Sequence, residues 1–365
     1  MRIIISAGGT GGHIYPALAI LKKFEENEKD LEVLYIGTHN RMEKELIPKR
    51  DIPYEELEIY GFSKKDILLD IKNLFLIHKA KKKCLKIMKE FKPDLVLGIG
   101  GYVTYPVIKA ASKLGIKTFI HEQNSLPGKT NRILQKDADL IGVSFPESAK
   151  YFDKVKGEVF YSGNPCGENA LSLEPMDKTT LGLSKNKKLV VIVAGSLGSA
   201  TVNEKMVEFL HNAEKEDYEV LYITGKALYD DFVKENKFGD NIKVVPYLDN
   251  LPALLKNTDL IVTRAGASTM SEILSLALPA IFIPSPFVAN NHQYYNALAI
   301  KNANAGELIE EKDLTSEELT NKINGVLRDQ HKINTMKENL KKLSMNNSSD
   351  LIYKKLKEMI KWKNN

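Results

Sequence analysis

The sequence predicts an α/β protein built of two doubly wound parallel-sheet domains, and two observations predict it. Short apolar runs bounded by glycine or proline recur along the chain: IIISAGG, VLYIG, LVLGIGG, TFIHEQN and LIGVSF, then VVIVAGS, VLYITG, IKVVPY, LIVTRAG and AIFIPSP. Helical patterns lie between most of them, the alternation expected of parallel sheets with crossover helices. Each half also restarts with strand, glycine turn and helix, IIISAGGTGGH and VVIVAGSLGSA, on either side of the polar, aperiodic stretch YSGNPCGENALSLEPMDKTT. A chain of 365 residues suits two domains, expected at 1–163 and 164–340, with a lysine-rich helical tail at 341–365 packing back on the first. The two sheets are expected to face each other across a cleft.

The first unit carries the clearest chemistry. Strand formers Ile3 to Ile5 stop at Gly8, and Ile14, Ala17, Leu18 and Leu21 then recur at helical spacing, with Pro16 expected in the first turn. Gly8, Gly9, Gly11 and Gly12 free the backbone of Cβ clashes, so their N–H groups can point at a close-packed anion at the helix N-terminus. His13 closes the turn and titrates near physiological pH. A second turn, Gly100 and Gly101, follows the strand LVLGIG. Neither common nucleotide motif is met: GxGxxG would need glycine at Ile14, and the Walker pattern before Lys129 and Thr130 has Gln123 in place of its first glycine. Asp137 and Asp139 have DxD spacing but precede a strand, where helix-end and turn roles are expected and no metal ligand is.

Residues 67–91 form one long helical pattern. Ile71, Leu74, Ile77, Cys84 and Met88 share a face expected to be core, while Leu68 and Phe75 lie among Lys72, Lys79, Lys82 and Lys86. An apolar pair ringed by lysines suits an anionic bilayer surface. In the second half Thr269 and Glu272 have T-x-x-E capping-box spacing. Asn124 stands just beyond a strand, where its amide both donates and accepts.

Bulk properties narrow the class. A 43% hydrophobic and 27% charged chain is globular in composition, and 52 basic against 47 acidic residues, a net charge of +5, is too mild to indicate a nucleic-acid protein. Cys84 and Cys166, without CxxC spacing, suggest reduced thiols. With the first strand starting at Arg2 or Ile3, no secretory leader is expected, and no apolar run reaches transmembrane length.

Taken in order, GGTGGH, GGYVTYP, HEQNSLPGKTNR, GNP, GSLGS, TRAGASTMSE and NHQYYNA, spanning residues 8 to 297, resemble the motifs of the MurG family of peptidoglycan N-acetylglucosaminyltransferases. The resemblance implies two Rossmann-like domains of the GT-B type and no cofactor. It implies transfer of N-acetylglucosamine from UDP-GlcNAc, with inversion, to the C4 hydroxyl of the muramyl sugar of lipid I, at the cytoplasmic face of the cell membrane. His13 would be the base or would orient the acceptor, with Gly8, Gly9, Gly100 and Gly101 at the acceptor pyrophosphate. Thr10, Gly11, Gly12 and Asn124 would lie at the donor, with Ser196, Ala267, Ser268 and Thr269. Glu272 would hold the ribose hydroxyls, Leu248 would offer backbone to uracil, and Gln293 would reach the sugar. Competing expectations are a glycosyl-diacylglycerol synthase, a UDP-sugar epimerase and a nonenzymatic nucleotide-sugar binding subunit. Agreement at GGTGGH and HEQN opposes the first, the lysine-ringed apolar pair the second, and His13 the third.

Five departures carry expectations of their own. Ala194 and Ser199 replace a glycine and an alanine and should be tolerated as small residues. Thr104 and Tyr105, where serine and glycine are common, should make the acceptor-side wall bulkier. Gly167 stands where the family pattern has an arginine near the donor. Lys226 or Arg264 should compensate for the missing charge, unless Gly167 itself is held at positive φ.

Overall fold

The computed structural model describes residues 1–62, 67–193 and 198–361, with all side chains among them except those of 67–69 and 289. Two compact domains follow the two halves of the chain: Met1–Cys166 together with the chain from Asn347 onward, and Gly167–Asn346.

The first domain is a parallel sheet of β1 (Arg2–Ala7), β2 (Glu32–Thr38), β3 (Tyr54–Leu57), β4 (Leu95–Gly100), β5 (Lys117–Glu122), β6 (Leu140–Val143) and β7 (Glu158–Tyr161), in the order β3-β2-β1-β4-β5-β6-β7. Successive side chains of a strand point to opposite faces. Ile3 and Ile5 therefore join the core on one side, with Ile20, Leu21 and Phe24 of α1 (Gly11–Asn27). Between β2 and β3 lies α2 (Glu43–Leu46). Ile4 joins the core on the other side, with Cys84 and Met88 of α3 (Ile67–Phe91) and Val107 and Ile108 of α4 (Thr104–Lys113). A short helix, α5 (Lys129–Leu134), follows β5.

Three expectations from the sequence change here. Pro16 sits six residues into α1 rather than in its first turn, because the helix already starts at Gly11 with Thr10 as its extended N-cap. The core face of α3 is rotated from the expected one. Asn73, Leu76, Ala80, Cys84 and Met88 are buried, whereas Ile71 and Leu74 are 61% and 60% exposed. The cause is polar: the Asn73 amide accepts from Tyr60 N at 2.9 Å and donates to Tyr60 O at 2.6 Å, which pins that side of the helix inward. Finally, the terminal helix begins at Ser348 rather than at residue 341.

The second domain has the sheet order β10-β9-β8-β11-β12-β13. After α6 (Cys166–Ser172) come β8 (Leu189–Val193), α7 (Ala200–Ala213), β9 (Glu219–Ile223), α8 (Tyr229–Glu235), β10 (Ile242–Val245) and α9 (Leu251–Leu255). They are followed by β11 (Leu260–Thr263), α10 (Ala267–Leu276), β12 (Ala280–Phe282), α11 (His292–Asn302), β13 (Glu307–Leu308), α12 (Ser316–Leu327) and α13 (Gln330–Leu343). Asp329 caps α13 by accepting from Lys332 N at 2.9 Å, and Ile333 and Met336 enter the second core. The chain then breaks before α14 (Ser348–Lys361), which returns to the first domain. There Ile352 and Leu356 complete the core under α1, Tyr353 packs edge-on to Phe24 with ring centroids 5.1 Å apart, and Lys357 meets Glu28 at 2.6 Å.

Because Leu356 is fully buried in that core, Leu356→Ala should destabilise the protein by about 2–5 kcal/mol. Denaturant melts that leave its midpoint unchanged would place α14 outside the cooperative unit.

Candidate active site

In each domain the strand order reverses beside the first strand, between β1 and β4 and again between β8 and β11. Ligands of open parallel sheets bind outside the carboxyl ends of the strands at such a reversal.

In the first domain two glycine turns interlock at this point. Gly8 N donates to Gly100 O at 3.1 Å, and a Cβ on Gly101, whose φ is +86°, would lie 2.4 Å from Gly8 O. His13 Nδ1 is 3.0 Å from the same Gly8 oxygen. A carbonyl only accepts, so Nδ1 carries the proton and, in the neutral ring, Nε2 holds the lone pair. Gly100 keeps room for the ring, since a Cβ there would sit 2.9 Å from Nε2.

The expected anion donors are not all available. Gly8 N is engaged by Gly100, and Gly9 N donates at 3.0 Å to Oε2 of Glu43, a fully buried carboxylate that also accepts from Thr38 N and Thr38 Oγ1. The Gly8 and Gly9 amides therefore do not face outward, which corrects the expected role of both. The amides of Gly11 and Gly12, in the first turn of α1, have no partner among the described residues. Thr104 is buried and bonds Gly101 O at 2.8 Å, and half-buried Tyr105 packs on the core, so neither builds the expected bulkier wall.

HEQN divides its labour. His121 is buried between Gly163 O and the Gln123 amide, and burial pushes its pKa down to about 4, so it is neutral. Burial raises the pKa of Glu122, whose carboxylate accepts from Asn124 N, Asn124 Nδ2, Gly128 N and Asn131 Nδ2. Only Asn124 is partly exposed, at the end of β5 and next in the sheet to the Gly100 turn. Asp137 pairs with Lys109 at 2.6 Å and Asp139 accepts from Thr118 N at 3.0 Å, structural uses of both aspartates.

In the second domain Ser196 and Ala194 lie outside the described residues. Gly198, at φ +74°, has no room for a Cβ against Thr224 O, and Ser199 caps α7. Arg264 is buried, paired with Glu311 at 2.6 Å and donating to Ile283 O and Ser199 Oγ. Its charge is matched within the domain, which removes it as a compensating cation. Lys226 is exposed, with Nζ 4.6 Å from the Tyr247 ring centroid, beside half-exposed Leu248 in the turn after β10. Gly167 is not at positive φ. A Cβ there would lie 2.7 Å from Ser271 O and closer still to Ser275 Oγ, so α6 approaches α10 too closely for an arginine.

The capping-box expectation fails. Helix α10 begins at Ala267 with Gly266 as its N-cap and no side-chain cap, which puts Thr269 inside the helix. Glu272 is left half-buried without a hydrogen-bond donor among the described residues, and burial pushes its pKa up to about 7. At the neighbouring strand end, Asn296 Nδ2 donates to Ala265 O at 3.2 Å, tying α11 to the β11–α10 turn, and Gln293 Oε1 accepts from Ser285 N at 2.9 Å. Ala267, Ser268 and Thr269 form the first turn of α10. The roles of Glu43 and Glu122 are not visible in the sequence, because nothing local distinguishes a buried carboxylate in RMEKEL or HEQN from an exposed one.

Two doubly wound sheets, each with its loops at the reversal, have the GT-B type of fold, and the family models that match them make the chain a glycosyltransferase. The glycosyltransferase family 28 N-terminal domain matches residues 3–143 and the family 28 C-terminal domain matches 189–352. A Bacillus licheniformis UDP-N-acetylglucosamine–N-acetylmuramyl-(pentapeptide) pyrophosphoryl-undecaprenol N-acetylglucosamine transferase is 41% identical over 98% of this chain and 99% of its own. The crystal structure of Acinetobacter baumannii MurG superposes with a TM-score of 0.80 at 26% identity, covering 98% of this chain and 99% of that one. A Staphylococcus aureus MnaA–UDP structure shares the fold at 16% identity and a TM-score of 0.72, covering 99% and 97%. The chain belongs to the MurG family of UDP-N-acetylglucosamine–N-acetylmuramyl-(pentapeptide) pyrophosphoryl-undecaprenol N-acetylglucosamine transferases.

A carboxyl whose folded pKa exceeds its unfolded value destabilises the fold as pH rises between the two. Glu272→Gln should therefore match the parent in stability near pH 4.5, the ordinary carboxyl value, and exceed it by about 1–3 kcal/mol at pH 8, since a tenfold change in proton affinity is worth about 1.4 kcal/mol. Parallel melting curves at both pH values would mean that the carboxylate is stabilised by a partner.

Proposed function

We propose that this chain moves N-acetylglucosamine from UDP-GlcNAc to the C4 hydroxyl of undecaprenyl-pyrophosphoryl-MurNAc-pentapeptide, with acceptor chemistry in the first domain and donor binding in the second. His13 carries the reading: a histidine at the reversal of the first sheet, its Nδ1 proton held by Gly8 O and its Nε2 the basic nitrogen. The acceptor oxygen attacks the anomeric carbon as its proton passes to Nε2. The C1–O bond to UDP breaks with its electron pair on the departing diphosphate, and the anomeric centre inverts. Turn Gly100–Gly101 and the amides of Gly11 and Gly12 are the groups of the first domain suited to oxyanions. In the second, Glu272 accepts from the two ribose hydroxyls, the first turn of α10 receives the diphosphate, and Lys226 supplies the cation that Gly167 lacks; Ser196, also expected at the donor, lies outside the described residues. Leu248 offers backbone to uracil, and Gln293 and Asn124 address the sugar.

Association with an anionic membrane is supported by the exposed side of α3. Ile71, Leu74 and Phe75 project there among Lys72, Lys79, Lys82 and Lys86, with Phe75 70% exposed. Of the Leu68–Phe75 pair expected from the sequence, Phe75 lies on this face together with Ile71 and Leu74, and the Leu68 side chain lies outside the described residues. Among the described residues no helix is long and apolar enough to cross a membrane, and peripheral attachment at the cytoplasmic face is the reading that suits a nucleotide-sugar donor.

UDP release from UDP-GlcNAc with lipid I, and none with diacylglycerol, is the expected result; the reverse preference would refute the reading. His13→Ala should lower turnover about 100-fold to 10,000-fold with UDP affinity nearly unchanged, whereas an equal loss of donor binding would make the histidine structural. Phe75→Ser with Lys79 and Lys82 neutralised should release the protein from sedimenting anionic vesicles, and undiminished sedimentation would end the membrane assignment.

A further inference from the structure

The peptide unit between Gly8 and Gly9 is bonded at both ends. Its carbonyl accepts from His13 Nδ1 at 3.0 Å, and its N–H donates to Glu43 Oε2 at 3.0 Å. A trans peptide points these two groups in opposite directions, so the imidazole and the carboxylate sit on either side of one amide. We propose that Glu43 is a positioning residue for the transfer, acting on His13 through the Gly8–Gly9 peptide as a carboxylate–amide–imidazole relay. This rests on His13 being the base.

The physical argument is polarisation. A carboxylate accepting from an amide N–H draws that proton and pushes electron density toward the carbonyl oxygen, and hydrogen bonds in series strengthen one another where water is excluded. The Gly8 oxygen then accepts more strongly from Nδ1. That orients the ring, keeps the proton on Nδ1 and favours the imidazolium formed when Nε2 takes the acceptor proton. No atom of Glu43 meets the substrate.

Several features hold the carboxylate for this purpose. It is fully buried, and Oε1 accepts from Thr38 N at 3.0 Å and Thr38 Oγ1 at 2.6 Å, leaving Oε2 for Gly9. Tyr54 OH donates to Thr38 O at 2.6 Å and braces that turn. Gly8 has no room for a side chain because a Cβ would lie 2.4 Å from Glu43 Oε1, so one glycine serves both His13 and the carboxylate. Among the described residues Arg41, Tyr35 and Tyr54 interact electrostatically with Glu43. Both tyrosines are pushed upward, chiefly by burial, and Arg41 stays charged, so none titrates between pH 5 and 9.

The test compares Glu43→Gln, Glu43→Asp and His13→Ala, alone and combined, using lipid I and UDP-GlcNAc. Glu43→Gln should lower kcat about 10-fold or more with KM for UDP-GlcNAc unchanged, and Glu43→Asp should recover part of that loss. Removing a negative charge disfavours the imidazolium, so the His13 pKa read by imidazole NMR should fall by about half a unit to one unit, and the acid limb of the kcat/KM profile should move to lower pH with it. In the His13→Ala background Glu43→Gln should cost nothing further. A further loss there, or an unshifted His13 pKa in Glu43→Gln, would overturn the relay and leave Glu43 a loop brace. An active His13→Ala would instead overturn the base reading beneath it. Should Glu43→Gln not fold, the wild type carries the test: the Gly9 amide resonance should titrate with the His13 pKa, and a Gly9 resonance flat across that pH range would refute the proposal.

Discussion

The first domain depends on the contact between its two glycine turns. Strands β1 and β4 are neighbours whose following segments diverge to opposite faces of the sheet, so the two turns meet where the order reverses. They meet backbone to backbone, Gly8 N on Gly100 O, with Gly101 too close to Gly8 O for any side chain. The same Gly8 carbonyl holds His13. Because the turns are locked together, the imidazole is fixed by main-chain atoms of two central strands rather than by a mobile loop, which is how a rigid scaffold positions a reactive side chain.

Carboxylates fall into two kinds in this protein. Glu43 and Glu122 are buried and surrounded by donors, and Glu311 is buried beside Arg264. Each sets the shape of a turn or an ion pair, as buried charges do when they are paired. Glu272 differs. It sits on α10 with burial raising its pKa and no donor among the described residues to offset it. A group carrying an unmet desolvation cost in the folded state is one that a ligand's hydroxyls could satisfy.

Close approach also explains a departure from the family pattern. At Gly167, α6 lies so near Ser271 O that the site of the family's arginine is filled by helix packing. Arg264 cannot stand in, because Glu311 already holds it. Lys226 stays exposed, with its ammonium over the Tyr247 ring.

The fold class, the two sheets, the glycine turns and the family are legible in the order of residues alone, since they rest on period and composition that survive in one dimension: apolar runs of strand length, helical spacing between them, and glycines after β1 and β4. The position of Asn124 at a strand end is legible for the same reason. Other features depend on which groups meet across the chain. The phase of α3 is not legible, because apolar residues cover most of its circumference and a pair of hydrogen bonds between Asn73 and Tyr60 selects the buried side. The T-x-x-E spacing at Thr269 reads as a cap, but α10 starts two residues before Thr269 because Gly266 provides the extended N-cap conformation. The direction of the Gly9 amide turns on Glu43, more than thirty residues away, whose burial beneath the loop leaves no local trace. A hydrogen bond between distant residues is a property of the folded chain, and a pattern read along the backbone has no coordinate in which to record it.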